Sequence, residues 1–272
     1  NVFMGHSALV YPYHGAHIAE MTFAFVNVEY RGQGCLNQLA DFLFTTPKPF
    51  PLTGVYAYAV TNHLASQKSM IRQGLSECGI LLATSPATWL FKGFEGDSSQ
   101  RISVVLSFRY LDRPQPKVLY PPPQHRDIIE RLYGNLNVTH SLNDSDPFVE
   151  GDSTILIEVN SSENCTDLYV TRSGADLVRK IRGILRDLRI QQIAAINLFL
   201  SLEQPATSFQ TAELEKLGFF FAGILPESGI GDALLLQYLN NVAFDYDKVL
   251  AYTQAATTLL GYIKERDPNI ID

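Results

Sequence analysis

The 272-residue chain has few cysteines and no apolar run long enough to cross a membrane. Its three cysteines, Cys35, Cys78 and Cys165, are odd in number and form no Cys-x-x-Cys pair. This usage argues against a disulfide framework or a zinc site, so we expect buried, reduced thiols. A membrane-spanning helix needs roughly 18 consecutive apolar residues. No such run and no signal-peptide pattern is visible, so we expect a cytoplasmic protein without a membrane partner.

Basic charge is also scarce, since 21 Lys and Arg residues face 28 Asp and Glu residues and the net charge is −7. A surface that binds nucleic acid needs a basic stripe, so nucleic acid is not an expected partner. An anionic cofactor is still compatible with this charge, because main-chain amides and one or two arginines are enough to bind phosphates. The G-x-S-x-G and EF-hand patterns are both missing, so we expect neither that hydrolase chemistry nor a metal site.

What the chain does have is apolar material, with 46% hydrophobic and 18% charged residues, as a packed core requires. Residues 6–12 and 18–28 are rich in β-branched and aromatic side chains, which predicts an antiparallel hairpin. Residues 35–44 carry apolar side chains at helical spacing. The same half is predicted to continue with a strand at 54–60, a helix at 64–73 that ends at Gly74, and strands at 79–84 and 101–109.

A proline-rich crossing segment (112–123), a helix (124–134) and a polar linker (137–153) precede a second series of elements. That series is predicted as strands 154–159 and 166–171, helix 174–190, strand 193–201, helix 207–217, strands 219–225 and 232–239, and a last helix at 246–265. Nearly the same order recurs, which favours duplication of one unit. We therefore predict a mixed α/β (α+β) fold in three parts: an N-terminal half (1–111), the crossing segment and linker (112–153) and a C-terminal half (154–272).

The most informative stretch is Val28-Glu29-Tyr30-Arg31-Gly32-Gln33-Gly34-Cys35-Leu36, where a strand ends and a helix begins at once. Gly32 and Gly34 permit left-handed backbone geometry. The first turn of a helix presents unpaired N–H groups and the positive end of its dipole, which suits a pyrophosphate, and Arg31 adds a cation. The alternative is an ordinary strand-to-helix loop in which the glycines only permit the turn.

This turn resembles the pyrophosphate loop of the GNAT acyl-CoA N-acyltransferase family, Arg/Gln-x-x-Gly-x-Gly/Ala. Arg31 and Gly34 stand at its first and fourth positions. Leu36 stands at the sixth, where the family has Gly or Ala, and its side chain would either point into the core or obstruct the phosphates. The stretches IAEMTFAFVNVEY and VYAYAVTNHLASQKSMIRQGLSECGILLA resemble the family's fourth strand and its fifth-to-sixth-strand region. The resemblance covers roughly residues 6–110 and implies a GNAT-like half that binds acetyl-CoA or another acyl-CoA.

The resemblance also implies a role for each site residue. The pyrophosphate would be bound by Arg31, Gly32, Gln33, Gly34, Cys35 and Leu36. The main chain of Val26 and Asn27 would pair with the pantetheine arm, and Asn62 and Ser66 would face the pantetheine and adenosine side. Glu20 would be the general base, against the alternative of a solvated residue at a strand start. The family's general-acid tyrosine has no counterpart in the helix at 64–73.

The C-terminal half has Ser173-Gly174-Ala175-Asp176 where a glycine loop would stand, so we interpret it as a degenerate GNAT-like copy that has lost cofactor binding. We expect His63 and His125 to be surface or turn residues, since neither has a nucleophile or carboxylate at diagnostic spacing.

Two hypotheses for function follow. The first is an N-acetyltransferase that moves acetyl from acetyl-CoA to an amine. The second is a non-catalytic regulatory or sensor module, because the paired halves, with SQK and GFFFAGILPES, resemble bacterial segments downstream of anti-sigma-factor-type serine/threonine kinase domains. Since the chain opens on strand-like sequence without an initiating methionine, we expect a fragment of a longer polypeptide, with a kinase domain upstream in the second case.

Overall fold

The computed structural model describes residues 2–46, 51–89, 99–144 and 148–270. Within these ranges the strands are β1 (Gly5–Val10), β2 (Ile18–Val26), β3 (Gly54–Val60), β4 (Ser76–Ser85), β5 (Ile102–Tyr110), β6 (Val118–Leu119), β7 (Ser141–Leu142), β8 (Thr154–Asn160), β9 (Cys165–Arg172), β10 (Ala195–Ser201), β11 (Phe220–Ser228) and β12 (Gly231–Leu239). The α-helices are α1 (Cys35–Thr45), α2 (Ala65–Arg72), α3 (Arg126–Asn135), α4 (Leu177–Ile190), α5 (Thr207–Glu215) and α6 (Gln254–Lys264).

A mixed sheet of ten strands forms the centre of the fold, in the order β1-β2-β3-β5-β4-β11-β12-β10-β9-β8. The predicted α/β class is therefore confirmed, and so is the antiparallel hairpin of β1 and β2. Each half supplies five neighbouring strands, and the C-terminal five follow in mirrored order from the joint between β4 and β11. The predicted duplication agrees with this order but stays a prediction.

The joint between the halves is a close contact of two glycines. Strands β4 and β11 pair antiparallel at Gly79 and Gly223. Gly223 has a φ of 145°, and a Cβ added there would lie 2.3 Å from the Cα of Gly79. Nearby, the Gln237 side chain accepts from the main-chain N–H of Leu82 at 2.8 Å and donates to its carbonyl at 3.0 Å. At this joint the two main chains lie so close together that a side chain at position 223 has no room.

Helices cover the sheet with amphipathic faces, as the spacing of their apolar residues predicts. In α4 the buried side chains are Leu177, Ile181, Leu185 and Leu188. Strand β10 is buried along its whole length, and β4 at every position after Ser76, so the core extends through both halves.

The crossing segment is packed more firmly than a proline-rich connection suggests. Strands β6 and β7 pair with each other, so part of the predicted linker 137–153 is ordered structure, while residues 145–147 of it lie outside the described residues. Lys117 donates to Asp232 of β12 at 2.7 Å, and the Tyr133 hydroxyl donates to the other oxygen of that carboxylate at 2.7 Å. These contacts fix the segment to the C-terminal half.

One boundary expected from the sequence was wrong. The last helix begins at Gln254 rather than 246, because residues 246–248 form a short 3-10 turn and Thr253 caps α6 by accepting from the N–H of Ala256 at 3.0 Å.

His125 was expected at the surface or in a turn, and it does lie in the short 3-10 turn Pro123–His125. It is not at the surface, however: it is 1% exposed, with Nε2 2.6 Å from Glu215 and Nδ1 2.7 Å from the Tyr262 hydroxyl.

All three cysteines are free, with Cys78 and Cys165 buried and Cys35 half-buried. Among the helices of the described ranges, none combines the length and the apolar character that crossing a bilayer requires.

We predict that Gly223→Ala lowers the free energy of unfolding by about 2–4 kcal/mol, because its methyl group would collide with main-chain atoms that cannot move independently. The matched control is Gly183→Ala in α4, where an added Cβ meets nothing within 4 Å, so helix propensity should raise stability by roughly 0.5–1 kcal/mol. Urea denaturation measures both. Equal stability of Gly223→Ala and the wild type would contradict the glycine joint.

Candidate functional site

A cleft of about 1150 Å³ lies in the N-terminal half, beside β2 and above the start of α1. Its lining comes from residues 21–32 and 34–37, from the end of β3, from His63 and from the first turns of α2. It therefore contains the strand end, the glycine turn and the α2 segment that the sequence singled out.

The cleft exists because β2 and β3 separate. They pair in parallel at Ile18–Gly54, Ala19–Val55 and Glu20–Tyr56, and no further pairs follow. Strand β2 instead stays paired with β1 as far as Val26, with a register shift in β1 between His6 and Ala8. Phe23 lies in this stretch with a φ of 51°, which marks an irregular strand. One edge of β2 beyond Glu20 therefore faces the cleft instead of a neighbouring strand.

The glycine turn places unpaired main-chain donors at the mouth of this cleft. Gly32 and Gly34 have φ values of 74° and 78°, so both use the left-handed region that the sequence predicted. Gly34 is the N-cap of α1, and no side chain caps the helix. Within the described residues, the N–H groups of Gly34, Cys35 and Leu36 make no hydrogen bond, and the first such bond runs from Gln38 to the Gly34 carbonyl at 3.0 Å.

There is open space beside the two glycines of the turn. A Cβ added to Gly32 or Gly34 would meet nothing within 4 Å. Unpaired N–H groups at the positive end of a helix dipole attract anions, and this arrangement has room for one.

Arg31 lies in the cleft but is anchored to the end of β2. Its Nε donates to the Val26 carbonyl at 3.1 Å. Its charge also reaches His63, whose pKa is lowered first by burial and then by this guanidinium. The arginine thus braces the turn against β2 while leaving a positive charge in the cleft.

Asn27 lines the cleft but directs its polar groups elsewhere. Its N–H donates to the Met4 carbonyl at 2.9 Å, its side-chain amide donates to the Phe3 carbonyl at 2.7 Å, and its own carbonyl accepts from Tyr30 at 2.9 Å. The Val26 carbonyl is occupied by Arg31. Each of these two carbonyls therefore already accepts one hydrogen bond within the protein and has one acceptor position left.

Ser66 and Asn62 both carry buried oxygens without a partner. Ser66 lines the cleft, and its buried hydroxyl makes no hydrogen bond to any described residue; the Asn62 side-chain oxygen makes none either. Buried polar groups in folded proteins are nearly always paired, so an unpaired hydroxyl in a cleft indicates a missing ligand or solvent partner. Asn62 lies just outside the cleft lining.

Leu36 does not join the core. It is half-buried, lines the cleft, and is absent from the hydrophobic cluster formed by the described residues. The sequence left two orientations open for the Leu36 side chain, and in the structure it lies at the cleft. The cleft volume of about 1150 Å³ is measured with this side chain in place. Cys35 is beside it, with its thiol 3.5 Å from the Tyr30 carbonyl, whereas Gln33 is exposed and outside the lining.

Glu20 pairs with Tyr56 at the last position before β2 and β3 separate, one residue before the cleft lining begins at Met21. It is half-buried, and burial raises the pKa of its carboxyl above the usual value while a hydrogen bond from Thr22 lowers it. It is adjacent to the cleft lining rather than part of it.

Two further cleft residues, Tyr58 and His63, were not selected as site residues from the sequence. Burial raises the pKa of Tyr58 well above its usual value, so the phenol stays protonated, and the lowered pKa of His63 keeps its imidazole neutral near pH 7. Strand alternation after Glu20–Tyr56 places Tyr58 on the same face as Tyr56, and this signal was available from the sequence.

The matching place in the C-terminal half has neither a gap nor free donors. Strands β9 and β10 pair over six positions, from Cys165–Ala195 to Val170–Leu200. The N–H of Ser173 donates to the Gln204 side chain at 3.0 Å, that of Gly174 to the Ser153 hydroxyl at 2.9 Å, and that of Ala175 to the Gly151 carbonyl at 3.0 Å. The two halves share one order of elements, but only the N-terminal half has an open site at this place; in the C-terminal half the protein itself fills it.

In the parts of the chain that the structure describes, no three His, Cys, Asp or Glu side chains are grouped where they could hold a metal ion. The cleft offers main-chain donors, the two arginines Arg31 and Arg72, and hydroxyl groups, which suit a phosphate-bearing organic molecule.

Comparison with known proteins adds little. No family model matches the chain, and no curated protein matches it in sequence. In structure the chain is similar to Arabidopsis thaliana NAA60 in complex with a bisubstrate analogue, at 16% identity and a TM-score of 0.28. The match covers 39% of this chain and 64% of that one, so this chain spans less than two thirds of that protein. At this TM-score the similarity carries no argument about function.

We predict that Ser66→Ala leaves the free energy of unfolding unchanged within about 0.5 kcal/mol, because the hydroxyl it removes has no partner. Ser69→Ala, one turn away on α2, should lower it by about 1 kcal/mol. The Ser69 hydroxyl lies 3.2 Å from the Asn37 side-chain oxygen and accepts from Gln73 at 2.9 Å. Urea unfolding of both variants tests the difference, and an equal loss at Ser66 would show that its hydroxyl is already paired.

Proposed function

We propose that the cleft binds an acyl-CoA, with the diphosphate at the start of α1, and that the chain is a GNAT-like N-acyltransferase. The observation that carries this proposal is the set of unpaired N–H groups of Gly34, Cys35 and Leu36, three residues that line the cleft. A diphosphate would accept hydrogen bonds from these groups and gain from the helix dipole and from the charge of Arg31.

The separation of β2 and β3 supports the same ligand. A pantetheine arm carries amide groups that can pair with a strand edge, and β2 beyond Glu20 presents such an edge to the cleft. The carbonyls of Val26 and Asn27 each already accept one hydrogen bond, so the pairing would extend over β2 from Met21 to Phe25 and reach these two residues only through their remaining acceptor positions.

Ser66, which lines the cleft from α2, also supports this ligand. Its unpaired hydroxyl would form a hydrogen bond with a polar group of the bound molecule. Asn62 lies outside the lining, so it would contact the ligand only at its rim. Gly32 would leave room for the phosphates, whereas Gln33 would stay in solvent.

Acyl transfer would take place where the strands separate. The amine nitrogen bonds to the acyl carbon, the carbon–sulfur bond breaks with its electron pair on sulfur, and the proton of the amine passes to Glu20. The thiolate then takes a proton from water. The raised pKa of the half-buried Glu20 makes this carboxylate a better base than a solvated glutamate.

A second candidate is a module that binds acyl-CoA without transferring the acyl group. Helix α2, with sequence ASQKSMIR, has no tyrosine to protonate the thiolate, and this favours a sensor. Both candidates require the same cleft. Thiol release from bound acetyl-CoA in the presence of amines separates them, because only the enzyme releases thiol. Attachment to a kinase domain stays a prediction from the sequence alone.

We predict that the wild-type protein binds acetyl-CoA in a calorimetric titration and that Gly34→Trp weakens this binding at least about tenfold, because the indole would fill the space before the free N–H groups. Gly15→Trp is the matched control. Gly15 also has a positive φ, 86°, and open space around its Cα, but it lies in the turn before β2, outside the cleft.

Both tryptophan variants carry the strain of a side chain in the left-handed region, roughly 1–2 kcal/mol, so any difference between them reports on the site. Absence of heat and of a thermal shift with wild-type protein at millimolar acetyl-CoA would contradict acyl-CoA binding. Equal weakening by both variants would contradict the placement of the diphosphate.

A further inference from the structure

A second cavity, of about 630 Å³, lies where the two halves meet and shares no lining residue with the cleft beside β2. The N-terminal half contributes residues 87 and 99–101, between β4 and β5. The C-terminal half contributes Asn164 in the β8–β9 turn, the end of α4 with the turn that follows it, and residues 240–243 after β12. The volume is within the range of cavities that hold small molecules.

The lining of this second cavity is positively charged, although the chain as a whole carries a net charge of −7. Arg101 and Arg189 are in the lining, and no Asp or Glu is among the described residues that form it. Glu163 acts on the Arg101 charge from outside the lining, with its carboxylate 3.7 Å from the Cys165 thiol. Asp245 accepts a main-chain N–H of its own 3-10 turn at 3.0 Å. The cavity therefore attracts anions.

Arg101 is half-buried and held in one orientation by main-chain carbonyls of both halves. Its Nε donates to Ala83 at 2.7 Å, and its Nη2 donates to Thr84 at 3.0 Å and to Glu163 at 2.6 Å. These bonds account for the hydrogens on Nε and Nη2. The two hydrogens on Nη1 make no hydrogen bond to the described residues, so a fixed guanidinium keeps one nitrogen for a ligand.

Arg189 supplies the second charge from the last turn of α4. Within the ranges that the structure describes, its guanidinium forms neither an ion pair nor a hydrogen bond. The helix dipole favours a cation at this end of α4. A second guanidinium that enters the same cavity without a carboxylate partner suits a doubly charged anion such as a phosphate monoester.

Carboxamide side chains occupy three strained positions around the cavity. Asn164, Gln192 and Asn241 have φ values of 53°, 58° and 54°, a region that glycine adopts at lower cost, and all three line the cavity. The side chains of Gln192 and Asn241 make no hydrogen bond to described residues. Carboxamides both donate and accept, which suits hydroxyl groups. The described lining has no aromatic side chain on which a nucleobase could stack.

We propose that the second cavity binds a phosphorylated sugar, with its phosphate on Arg101 and Arg189 and its hydroxyl groups on the carboxamides of Gln192 and Asn241. The inference is independent of the proposed function, because the two cavities have no residue in common. It gives the C-terminal half, which lacks an open helix start, a ligand of its own.

The test is a calorimetric titration of the whole protein with ribose 5-phosphate, ribose and inorganic phosphate. We expect saturable binding of ribose 5-phosphate. Ribose should show none, because it lacks the charge that both arginines require. Inorganic phosphate should bind at least about tenfold more weakly, because it leaves the carboxamides without hydroxyl partners.

Arg189→Gln should weaken binding of ribose 5-phosphate at least about tenfold through loss of charge-assisted hydrogen bonds. Arg182→Gln is the matched control and should bind as the wild type does. Arg182 is exposed on the same face of α4, two turns earlier and outside the cavity lining.

Asn241→Gly separates binding from folding. Glycine accepts the left-handed backbone without strain, so the variant should unfold at the same temperature as the wild type or a higher one. It should nevertheless bind ribose 5-phosphate more weakly and inorganic phosphate unchanged, a combination that a purely structural role of Asn241 would not produce.

Several results would overturn the inference: no binding of ribose 5-phosphate at millimolar concentration, equal weakening by Arg189→Gln and Arg182→Gln, or inorganic phosphate as tight as the sugar phosphate. Amide NMR locates the ligand. Ribose 5-phosphate should shift the side-chain amide resonances of Gln192 and Asn241. Shifts at the main-chain N–H groups of Gly34 and Leu36 instead would place the phosphate in the other cleft and equally overturn the assignment.

Discussion

The separation of β2 from β3 after three paired positions is the constraint on which the rest of the account depends. In a continuous parallel ladder the edge of β2 would be paired, and the chain would leave no space beside it. Because β2 stays with β1 instead, the strand end carries Arg31 and the glycine turn away from β3. The start of α1 then faces a cleft rather than protein, so its donors are left for a ligand.

The C-terminal half acts as an internal control for this argument. Its strands follow the same order, yet β9 and β10 remain paired, and residues 151–153 supply acceptors to the turn before α4. The N-terminus of a helix is thus not a site by itself. What distinguishes the two halves is whether the chain provides its own partners for the first N–H groups.

Much of the site was predictable from local sequence. The turn with Gly32 and Gly34, the helix that begins at Cys35, and the place of Ser66 on α2 follow from rules that act over a few residues. The partners of Arg31 and Asn27 did not follow, because they depend on where β1 pairs with β2. The burial of His125 depends on Glu215 and Tyr262, which are about 90 and 137 residues further along the chain.

The most direct test of the central claim is an amide NMR titration of the ¹⁵N-labelled protein with acetyl-CoA. The account predicts that the resonances of Gly34, Cys35 and Leu36 shift strongly, since their N–H groups gain phosphate acceptors. Those of Ser173, Gly174 and Ala175, which already have partners in the protein, should stay in place. Bound acetyl-CoA that leaves the first three resonances unchanged, or that shifts the second three equally, would contradict it.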